Sequence, residues 1–319
     1  MSPDVPTHLR VHQFAGLAPG PRLIALGAVH GNETCGTRAI ERVLAELERG
    51  QWRVERGTLT LVPVANPLAY ARGTRMGERN LNRRLQPTDT PQCFEDRVAN
   101  VLCPLLAAHD VLLDLHSFRG SGEPFVMLGP RDNDGALEPF AHAAAEARFA
   151  AHLGPTRIVE GWLEAYAGGA ARRRARGLGD DDPSYGVGTT EYLRRRGGYG
   201  VTLECGPHED PAAPAVAWQA LRQAVALLGL AELPLTPPAP AHEVLRLVGV
   251  VDREHEGDRF ARAWASFDTV RAGETIGVRH DGTPVRAGCD GRIVFPDAGA
   301  APGHEWFYLA VPSARRLAG

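Results

Sequence analysis

Short runs of apolar residues, each followed by a turn, are the most regular feature of the first two thirds of the chain. They cover residues 23–30, 57–64, 111–117, 125–128 and 199–207. Runs of this length are too short for an ordinary helix and are typical of strands that are buried on both faces. The pattern therefore predicts a central sheet with apolar residues on both of its faces.

Helical periodicity separates several of these runs. Ile40, Val43, Leu44 and Leu47 recur at i, i+3, i+4 and i+7, and Gly50 ends the pattern. Further helices are predicted over about residues 94–108, where Pro104 can introduce a kink, and over 137–153 and 215–230. Strands that alternate with helices predict an α/β fold, with a mixed, largely parallel central sheet flanked by helices.

Two long stretches interrupt this alternation. Residues 66–84 are polar, rich in arginine and punctuated by glycine, and residues 166–200 are dense in glycine, arginine and aspartate. We predict that both stretches are loops and that the second is a mobile excursion covering a site.

The pattern changes after a proline-rich segment. Residues 233–240 hold four prolines, which favours a stiff linker, and short β runs then recur at residues 244–251, 275–278, 292–295 and 306–311. Because 319 residues suit two cores, we predict a larger domain over residues 1–232, a linker over 233–241 and a small all-β, barrel-like domain over 242–319.

Composition narrows the function. The net charge of −3 argues against a nucleic-acid surface, and all 35 basic residues are arginine. The absence of lysine excludes Schiff-base chemistry, a P-loop phosphate clamp and a lysine-borne cofactor. Five cysteines without C-x-x-C spacing favour a reducing compartment. The first residues do not resemble a signal peptide, and no apolar run approaches the ~18–20 residues that span a bilayer. We therefore expect a cytoplasmic protein without a membrane partner.

Three predicted strands end in chemically reactive side chains. His30 and Glu33 follow the first strand, His116 ends another, and Glu204 ends the last. The carboxyl ends of parallel strands meet at one rim of a sheet, so these side chains are expected to converge. Two imidazoles and one carboxylate are a ligand set of catalytic zinc. Asp114 lies on the same strand face as His116 and would either support its imidazole or pair with an arginine.

The other histidines lie in predicted helices, termini, turns or the β region, and we expect structural or surface roles for them. His208 is the closest competitor, since it follows Glu204 by four residues. We expect Gly206 and Pro207 to turn it away from the strand axis.

The chain resembles the succinylglutamate desuccinylase/aspartoacylase family, whose members are zinc enzymes related to metallocarboxypeptidases. The resemblance spans about residues 20–230 and implies a zinc-carboxypeptidase-like fold. It rests on four motifs in the same order as in the family: His30-Gly-Asn-Glu33, Asn66-Pro with Thr74-Arg75 and Asn80-Leu-Asn82-Arg83, Asp114-Leu-His116-Ser117, and Glu204-Cys-Gly-Pro207.

The resemblance implies a role for each matched residue. His30, Glu33 and His116 would hold one zinc ion per chain, Glu204 would be the general base, and Arg75 would polarise the scissile carbonyl. In the same way, Asn82 and Arg83 would bind a carboxylate of the substrate.

Two positions depart from the family pattern. Asn80 stands where members often have aspartate. Members that cleave dicarboxylic substrates use a second arginine, but here Thr189-Thr190 is followed by Glu191, and Arg194 is the next arginine. If Glu191 occupies that place, a neutral or cationic side chain fits better than a second acid. If Arg194 turns in, succinylglutamate or an N-acyl aspartate remains a candidate.

These observations predict a zinc-dependent deacylase that hydrolyses the amide bond of a small N-acyl amino acid. The alternatives are a metallocarboxypeptidase acting on peptides and a non-catalytic zinc-binding protein on the same scaffold. The β region resembles a lipoyl-domain-like barrel but has no lysine to carry a cofactor. We expect it to serve as a lid, a channel wall or a contact in a homo-oligomer.

Overall fold

A computed structural model of the protein describes residues 5–175 and 182–317. The strands are β1 (His12–Ala15), β2 (Ala18–Gly27), β3 (Arg56–Val62), β4 (Val111–Phe118), β5 (Phe125–Leu128), β6 (Arg157–Glu160), β7 (Tyr199–Pro207), β8 (Glu243–Asp252), β9 (Arg259–Phe260), β10 (Thr269–Val270), β11 (Thr275–Val278), β12 (Pro284–Arg286), β13 (Gly291–Val294) and β14 (Glu305–Pro312). The helices are α1 (Cys35–Glu48), α2 (Pro67–Arg72), α3 (Phe94–Ala107), α4 (Ala143–Ala151), α5 (Trp162–Ala175), α6 (Thr189–Arg194) and α7 (Ala213–Leu227), with a 3-10 turn at Pro183–Gly186.

The main sheet is mixed, and its central part is parallel. Its strand order is β1-β3-β2-β4-β7-β5-β6-β8-β14-β13-β10. Strands β3, β2, β4 and β7 run parallel to one another, whereas β1 and β5 are antiparallel to their neighbours β3 and β7. This arrangement confirms the α/β fold with a largely parallel central sheet.

The central strands are buried on both faces. Leu23 and Ala25 of β2 belong to an apolar cluster with α1, α4 and α7, and Ile24 and Leu26 belong to a second cluster with α2, α3 and α6. Successive side chains of a strand point to opposite faces, so one continuous apolar run supplies both layers. The helices leave the carboxyl ends of β2, β4 and β7 at one shared rim.

The C-terminal region continues the same sheet. Strand β8 pairs in parallel with β6 and antiparallel with β14, so hydrogen bonding runs without a break from the α/β part into this region. The strands β9, β11 and β12 form a separate small antiparallel sheet. The division into two domains at residues 233–241 stays a prediction, because the shared sheet does not by itself mark a boundary.

Both predicted loops contain helices, so these two predictions are partly wrong. Residues 66–84 include α2, which begins with Asn66 accepting a hydrogen bond from the Ala69 N–H and ends at Gly73 with a φ of 61°. An asparagine cap, a proline in the first turn and a left-handed glycine are sufficient signals for a short helix. Residues 166–200 include most of α5 and all of α6, while residues 176–181 of that stretch lie outside the described residues.

Other expected elements differ in extent. The helix predicted over 137–153 is confined to α4, because Pro139 lies in the preceding segment and cannot donate a helical hydrogen bond. The strands β1 and β6 were not predicted, since each has only two apolar residues, whereas all four residues of the predicted β5 are apolar. In the part of the chain that the structure describes, no helix combines the length and apolar character needed to cross a bilayer.

We expect the buried carboxylate of Glu46 to hold α1 against α7. It accepts hydrogen bonds from the indole N–H groups of Trp52 at 2.8 Å and Trp218 at 2.7 Å, and from Arg222 at 2.6 Å. The Glu46→Ala change leaves these donors without their acceptor and should lower the free energy of unfolding by about 2–4 kcal/mol at pH 7. Urea unfolding measures this loss.

The difference in unfolding free energy between the unchanged protein and Glu46→Ala should become smaller at acidic pH. Burial opposes ionisation of Glu46, but the two indoles and Arg222 lower the pKa of its carboxyl below the ordinary value. Its stabilisation is therefore complete above the unfolded pKa of about 4.3 and is lost as the pH falls through the folded pKa. Glu41→Ala, on the exposed face of α1, is the control and should change stability by less than about 0.5 kcal/mol. Equal losses for the two variants would contradict this account of Glu46.

Candidate active site

Three neighbouring strand ends bring the predicted side chains together. In the sheet, β4 lies between β2 and β7, and His116 of β4 is the register partner of Glu204 of β7. His30 and Glu33 stand in the turn between β2 and α1. One potential ligand atom from each of His30, Glu33 and His116 lies within 4.8 Å of the others.

The Glu33 carboxylate lies between the two imidazoles. Its oxygens are 2.9 Å from His30 Nδ1 and 2.8 Å from His116 Nδ1, and all three side chains are almost completely buried. The His116 contact is a hydrogen bond. The His30 contact is equally short but lacks hydrogen-bond angles, so His30 Nδ1 has no such partner among the described residues. A buried ring nitrogen that faces a carboxylate in this way fits a metal ligand better than a structural histidine.

Electrostatics at the cluster also suit a cation. Burial, together with the charge of Arg75, lowers the pKa of His30 to about 4, so its imidazole is neutral at neutral pH. Burial opposes ionisation of Glu33, but His30 and His116 hold the pKa of that carboxyl well below its usual range. Burial opposes ionisation of His116, but the charges of Asp114 and Glu33 raise the pKa of its imidazole well above the usual value. Zinc binds neutral imidazole and ionised carboxylate, so its binding here would displace a proton from His116.

Each histidine has a second polar neighbour on its other nitrogen. Asn80 Oδ1 is 3.1 Å from His30 Nε2, and Asp114 Oδ2 is 2.9 Å from His116 Nε2. The hydroxyl of Thr189 in turn donates a hydrogen bond to Asp114. Partners of this kind fix the orientation of metal-binding imidazoles. Asn80, which departs from the family pattern, therefore still contacts the first histidine, and Asp114 contacts the second.

The turn that carries His30 and Glu33 requires a glycine. A Cβ atom at Gly31 would lie 2.0 Å from the carbonyl carbon of Ala69 in α2. The turn is closed by the Glu33 N–H, which donates to the His30 carbonyl at 3.1 Å. The close packing of α2 on this turn therefore explains why position 31 is glycine.

The loop after α2 is held by one buried carboxylate. Glu95 accepts hydrogen bonds from the Asn66 amide at 3.0 Å and from the backbone N–H groups of Gly77 at 2.9 Å and Arg79 at 3.1 Å. This loop carries the predicted residues Arg75, Asn82 and Arg83 to the rim of the sheet. The polar stretch is thus an ordered part of the site.

Glu204 is buried at the same rim. It is 7% exposed, and its Oε2 atom has no hydrogen-bond partner among the described residues. Burial, with the Glu33 charge nearby, raises the pKa of the Glu204 carboxyl to about 8, while His116 and Arg75 oppose that rise. An unpartnered buried carboxylate beside a candidate metal cluster can accept and release a proton.

The predicted arginines differ in their surroundings. Arg75 is half exposed and donates through Nη1 to Glu33 Oε1 at 2.8 Å. Arg83 is buried, lies over the rings of Trp162 and Tyr166, and has Nη2 3.4 Å from Glu305 Oε1. The side-chain oxygen of Asn82 accepts the Thr189 N–H at 2.9 Å, which ties the loop to the start of α6.

All of these side chains line one cavity of about 710 Å³. Its wall also includes residues of the C-terminal region, namely Phe295, Asp297, His304, Glu305 and Tyr308. This position matches the channel wall that was one of three expectations for the region. Glu305 was missed from the sequence, because its partner Arg83 is more than 200 residues away in the chain.

The expectation for His208 is wrong. Gly206, with a φ of 127°, lies inside β7 where the register with β4 shifts, and the strand continues to Pro207, so His208 lines the cavity. Its Nδ1 lies 2.8 Å from the Ser117 hydroxyl, and its backbone N–H donates to the Phe118 carbonyl at 2.9 Å. A glycine in a strand can mark a β-bulge as well as a turn, and the sequence prediction assumed a turn.

Glu191 and Arg194 both line the cavity. The Arg194 guanidinium contacts Glu146 at 2.9 Å, Glu138 at 2.8 Å and, more weakly, Glu191 at 3.3 Å. It also donates to the Gly200 carbonyl at 2.7 Å. The arginine that the sequence analysis considered for this wall is therefore already bound by carboxylates of the chain.

A mixed α/β sheet with reactive side chains at its strand ends is the architecture of many metal-dependent hydrolases, and the family comparison is more specific. Residues 19–228 match the model of the succinylglutamate desuccinylase/aspartoacylase catalytic domain. This match covers well over half of the chain, so the chain belongs to this family of deacylases, as the sequence motifs predicted. No curated protein is significantly similar to the chain in sequence.

Solved structures share the fold. A succinylglutamate desuccinylase/aspartoacylase from Rhodobacter sphaeroides superposes with a TM-score of 0.71 at 19% identity, covering 96% of this chain and 90% of that chain. The product-bound ectoine utilization protein EutE (DoeB) from Ruegeria pomeroyi has a TM-score of 0.69 at 21% identity, covering 94% and 88%. The succinylglutamate desuccinylase from Vibrio cholerae has a TM-score of 0.70 at 19% identity, covering 95% and 85%.

We expect Arg194 to be essential for stability. The Arg194→Leu change leaves three neighbouring carboxylates without their shared counter-charge and should lower the free energy of unfolding by about 3–5 kcal/mol. Chemical unfolding at pH 7 measures the loss. Arg195→Leu, one residue later and exposed, is the matched control and should cost less than about 1 kcal/mol. A small loss for Arg194→Leu would show that its guanidinium does not neutralise the carboxylates.

Proposed function

We propose that the protein is a zinc-dependent amidohydrolase that cleaves an N-acyl amino acid into a carboxylate and an amino acid. One observation carries the proposal: His30, Glu33 and His116 converge within 4.8 Å in the same cavity as the unpartnered carboxylate of Glu204. Membership of the deacylase family supports the reaction class.

His30, Glu33 and His116 would hold the zinc ion. Three protein ligands are the usual number in catalytic zinc sites, where a further position stays open to solvent or substrate. When bound, zinc polarises the scissile carbonyl and lowers the pKa of water to about 7. Asn80 and Asp114 would keep the two imidazoles in their binding orientation through the contacts at their other nitrogens.

Glu204 would move the proton. Its buried, unpartnered Oε2 atom is placed to take a proton from the attacking water and to return it to the departing amine. This transfer makes the amine a neutral leaving group, while the acyl carbon gains the oxygen of water.

Arginines of the ordered loop would bind the substrate. Arg75 reaches the cluster and would stabilise the negative charge that develops on the carbonyl oxygen. Arg83 and Asn82 would bind a substrate carboxylate. At 3.4 Å, the contact of Arg83 with Glu305 is longer than a strong charged hydrogen bond, so a substrate carboxylate can compete for the guanidinium.

A cytoplasmic location remains part of this proposal, and all five cysteines are free thiols.

The His116→Ala variant should lose metal and activity together. The two remaining ligands bind zinc too weakly to retain it during purification. The variant should therefore contain far less than one zinc per chain and hydrolyse N-acyl amino acids at least about 100-fold more slowly. Metal analysis and an amine-release assay measure both effects. His142→Ala, at an exposed helix start, is the control. A His116→Ala protein with full zinc content would disprove the ligand assignment.

The Glu204→Gln variant should separate metal binding from catalysis. The amide keeps the shape of the side chain but cannot take a proton, so zinc content should be unchanged and kcat should fall by roughly 100-fold or more. Comparing the activity of the unchanged protein on N-acyl amino acids with its activity on short peptides distinguishes a deacylase from a carboxypeptidase. Undiminished turnover by Glu204→Gln would exclude Glu204 as the base.

A further inference from the structure

One part of the cavity wall carries more negative than positive charge. Glu138 and Glu191 line the cavity, and the fully buried Glu146 lies behind them. Arg194 is the guanidinium that these three carboxylates share. With all groups ionised, the cluster has two more negative charges than positive ones.

Arg194 makes its strongest ion pair with Glu146. Both oxygens of Glu146 accept from Arg194, at 2.9 and 3.1 Å, in a bidentate pair. Glu138 and Glu191 share the remaining Nη1 atom, at 2.8 and 3.3 Å. Burial raises the pKa of Glu138 to about 7, with Arg194 opposing the rise and Glu191 adding to it. Glu191 also accepts hydrogen bonds from the Gly188 N–H at 2.9 Å and the Thr190 hydroxyl at 3.0 Å, but these donors are neutral, so its only positive partner is the Arg194 nitrogen that it shares with Glu138.

This wall is continuous with the candidate catalytic centre. Thr189, at the start of α6, bonds to Asp114, which contacts His116, and Glu191 follows two residues later. On the other side, Arg194 contacts Gly200 of β7, and Thr202 lines the cavity between that point and Glu204. A substrate bound at the metal cluster would therefore extend along this wall.

Three arginines line the cavity besides Arg194 and the candidate catalytic and substrate-binding residues. Arg131 is exposed and has no ion pair among the described residues, whereas the other two are paired with carboxylates. At its mouth, Arg246 contacts Glu164 and Arg119 contacts Asp297. A second carboxylate on the substrate would meet Glu138 and Glu191 beside an arginine that is already bound. Repulsion between these neighbouring negative charges would disfavour binding of such a substrate, whereas a cationic group would supply positive charge to Glu138 and Glu191.

We propose that the substrate is an N-acyl amino acid with a cationic side chain, an ammonium or guanidinium group that Glu191 and Glu138 bind. This inference rests on the proposed deacylase function and names its substrate class. Glu191 is then a specificity-determining residue, and Glu146 with Arg194 holds the two cavity-facing carboxylates in place.

Steady-state kinetics on a charge series test the proposal. The zinc-loaded protein is assayed with Nα-acetyl-L-lysine, Nα-acetyl-L-ornithine, the uncharged Nα-acetyl-L-norleucine and N-acetyl-L-glutamate. We expect the better of the two cationic substrates to exceed norleucine by roughly 10-fold or more in kcat/KM, and glutamate to be the poorest. A norleucine or glutamate derivative that reacts as fast as both cationic substrates would overturn the substrate class and leave the deacylase function standing.

The Glu191→Gln variant tests which residue makes the distinction. Its amide oxygen can still accept the Gly188 N–H that Glu191 accepts at 2.9 Å, so the start of α6 should persist. We expect the ratio of kcat/KM for the cationic substrate to that for the norleucine substrate to fall by roughly 10-fold. The control is Glu164→Gln, because Glu164 lines the same cavity but pairs with Arg246. An unchanged ratio in Glu191→Gln would remove Glu191 from the proposal.

A binding measurement keeps the two proposals distinguishable. Calorimetry compares L-lysine and L-ornithine with L-norleucine on the zinc-loaded protein. Tighter binding of a cationic amino acid, weakened in Glu191→Gln, would support the cation site even if no N-acyl substrate were hydrolysed, in which case the deacylase function alone would fail. Equal affinities for all three amino acids would overturn the cation site regardless of turnover.

Discussion

The burial of one carboxylate between two imidazoles is the constraint on which the rest of the site depends. Glu33 is removed from water, and burial of an ionised carboxylate is tolerated only with close positive or hydrogen-bonding partners. His116 on the neighbouring strand end and Arg75 supply hydrogen bonds to its two oxygens, and the neutral His30 imidazole lies 2.9 Å away. The parallel alignment of β2 and β4 is therefore needed to satisfy Glu33 as well as to place the two histidines.

The surrounding structure fixes this cluster through a few long-range contacts. Asp114 connects His116 to Thr189 of α6, and Asn82 connects the ordered loop to the same helix. Glu95 holds the loop to α3. The loss of any of these polar groups would leave another group without a partner, so the contacts hold the loop and α6 against the cluster.

The sequence predicts the parts of this arrangement that follow from local pattern. Apolar runs predicted the central strands, and the histidine and glutamate residues at their ends predicted the cluster, because parallel strands align their carboxyl ends. Contacts across large sequence separations could not be predicted in this way. Glu305 reaches Arg83 only because β14 is paired with β8, and β8 with β6. His208 lines the cavity because β7 continues through an irregularity near Gly206 and does not end in a turn there.

The distribution of charge along the cavity gives the two ends different chemical tasks. At the rim, the negative charge of Glu33 is balanced by His116 and by Arg75, and a divalent cation would add to that balance. Along α6, Arg194 is engaged by Glu146, and Glu138 and Glu191 keep part of their charge facing the cavity. A ligand that is anionic near Arg83 and cationic near Glu191 would match both ends. An amino acid whose side chain carries a positive charge has this pattern, with its carboxylate and its side-chain cation separated by a few bonds.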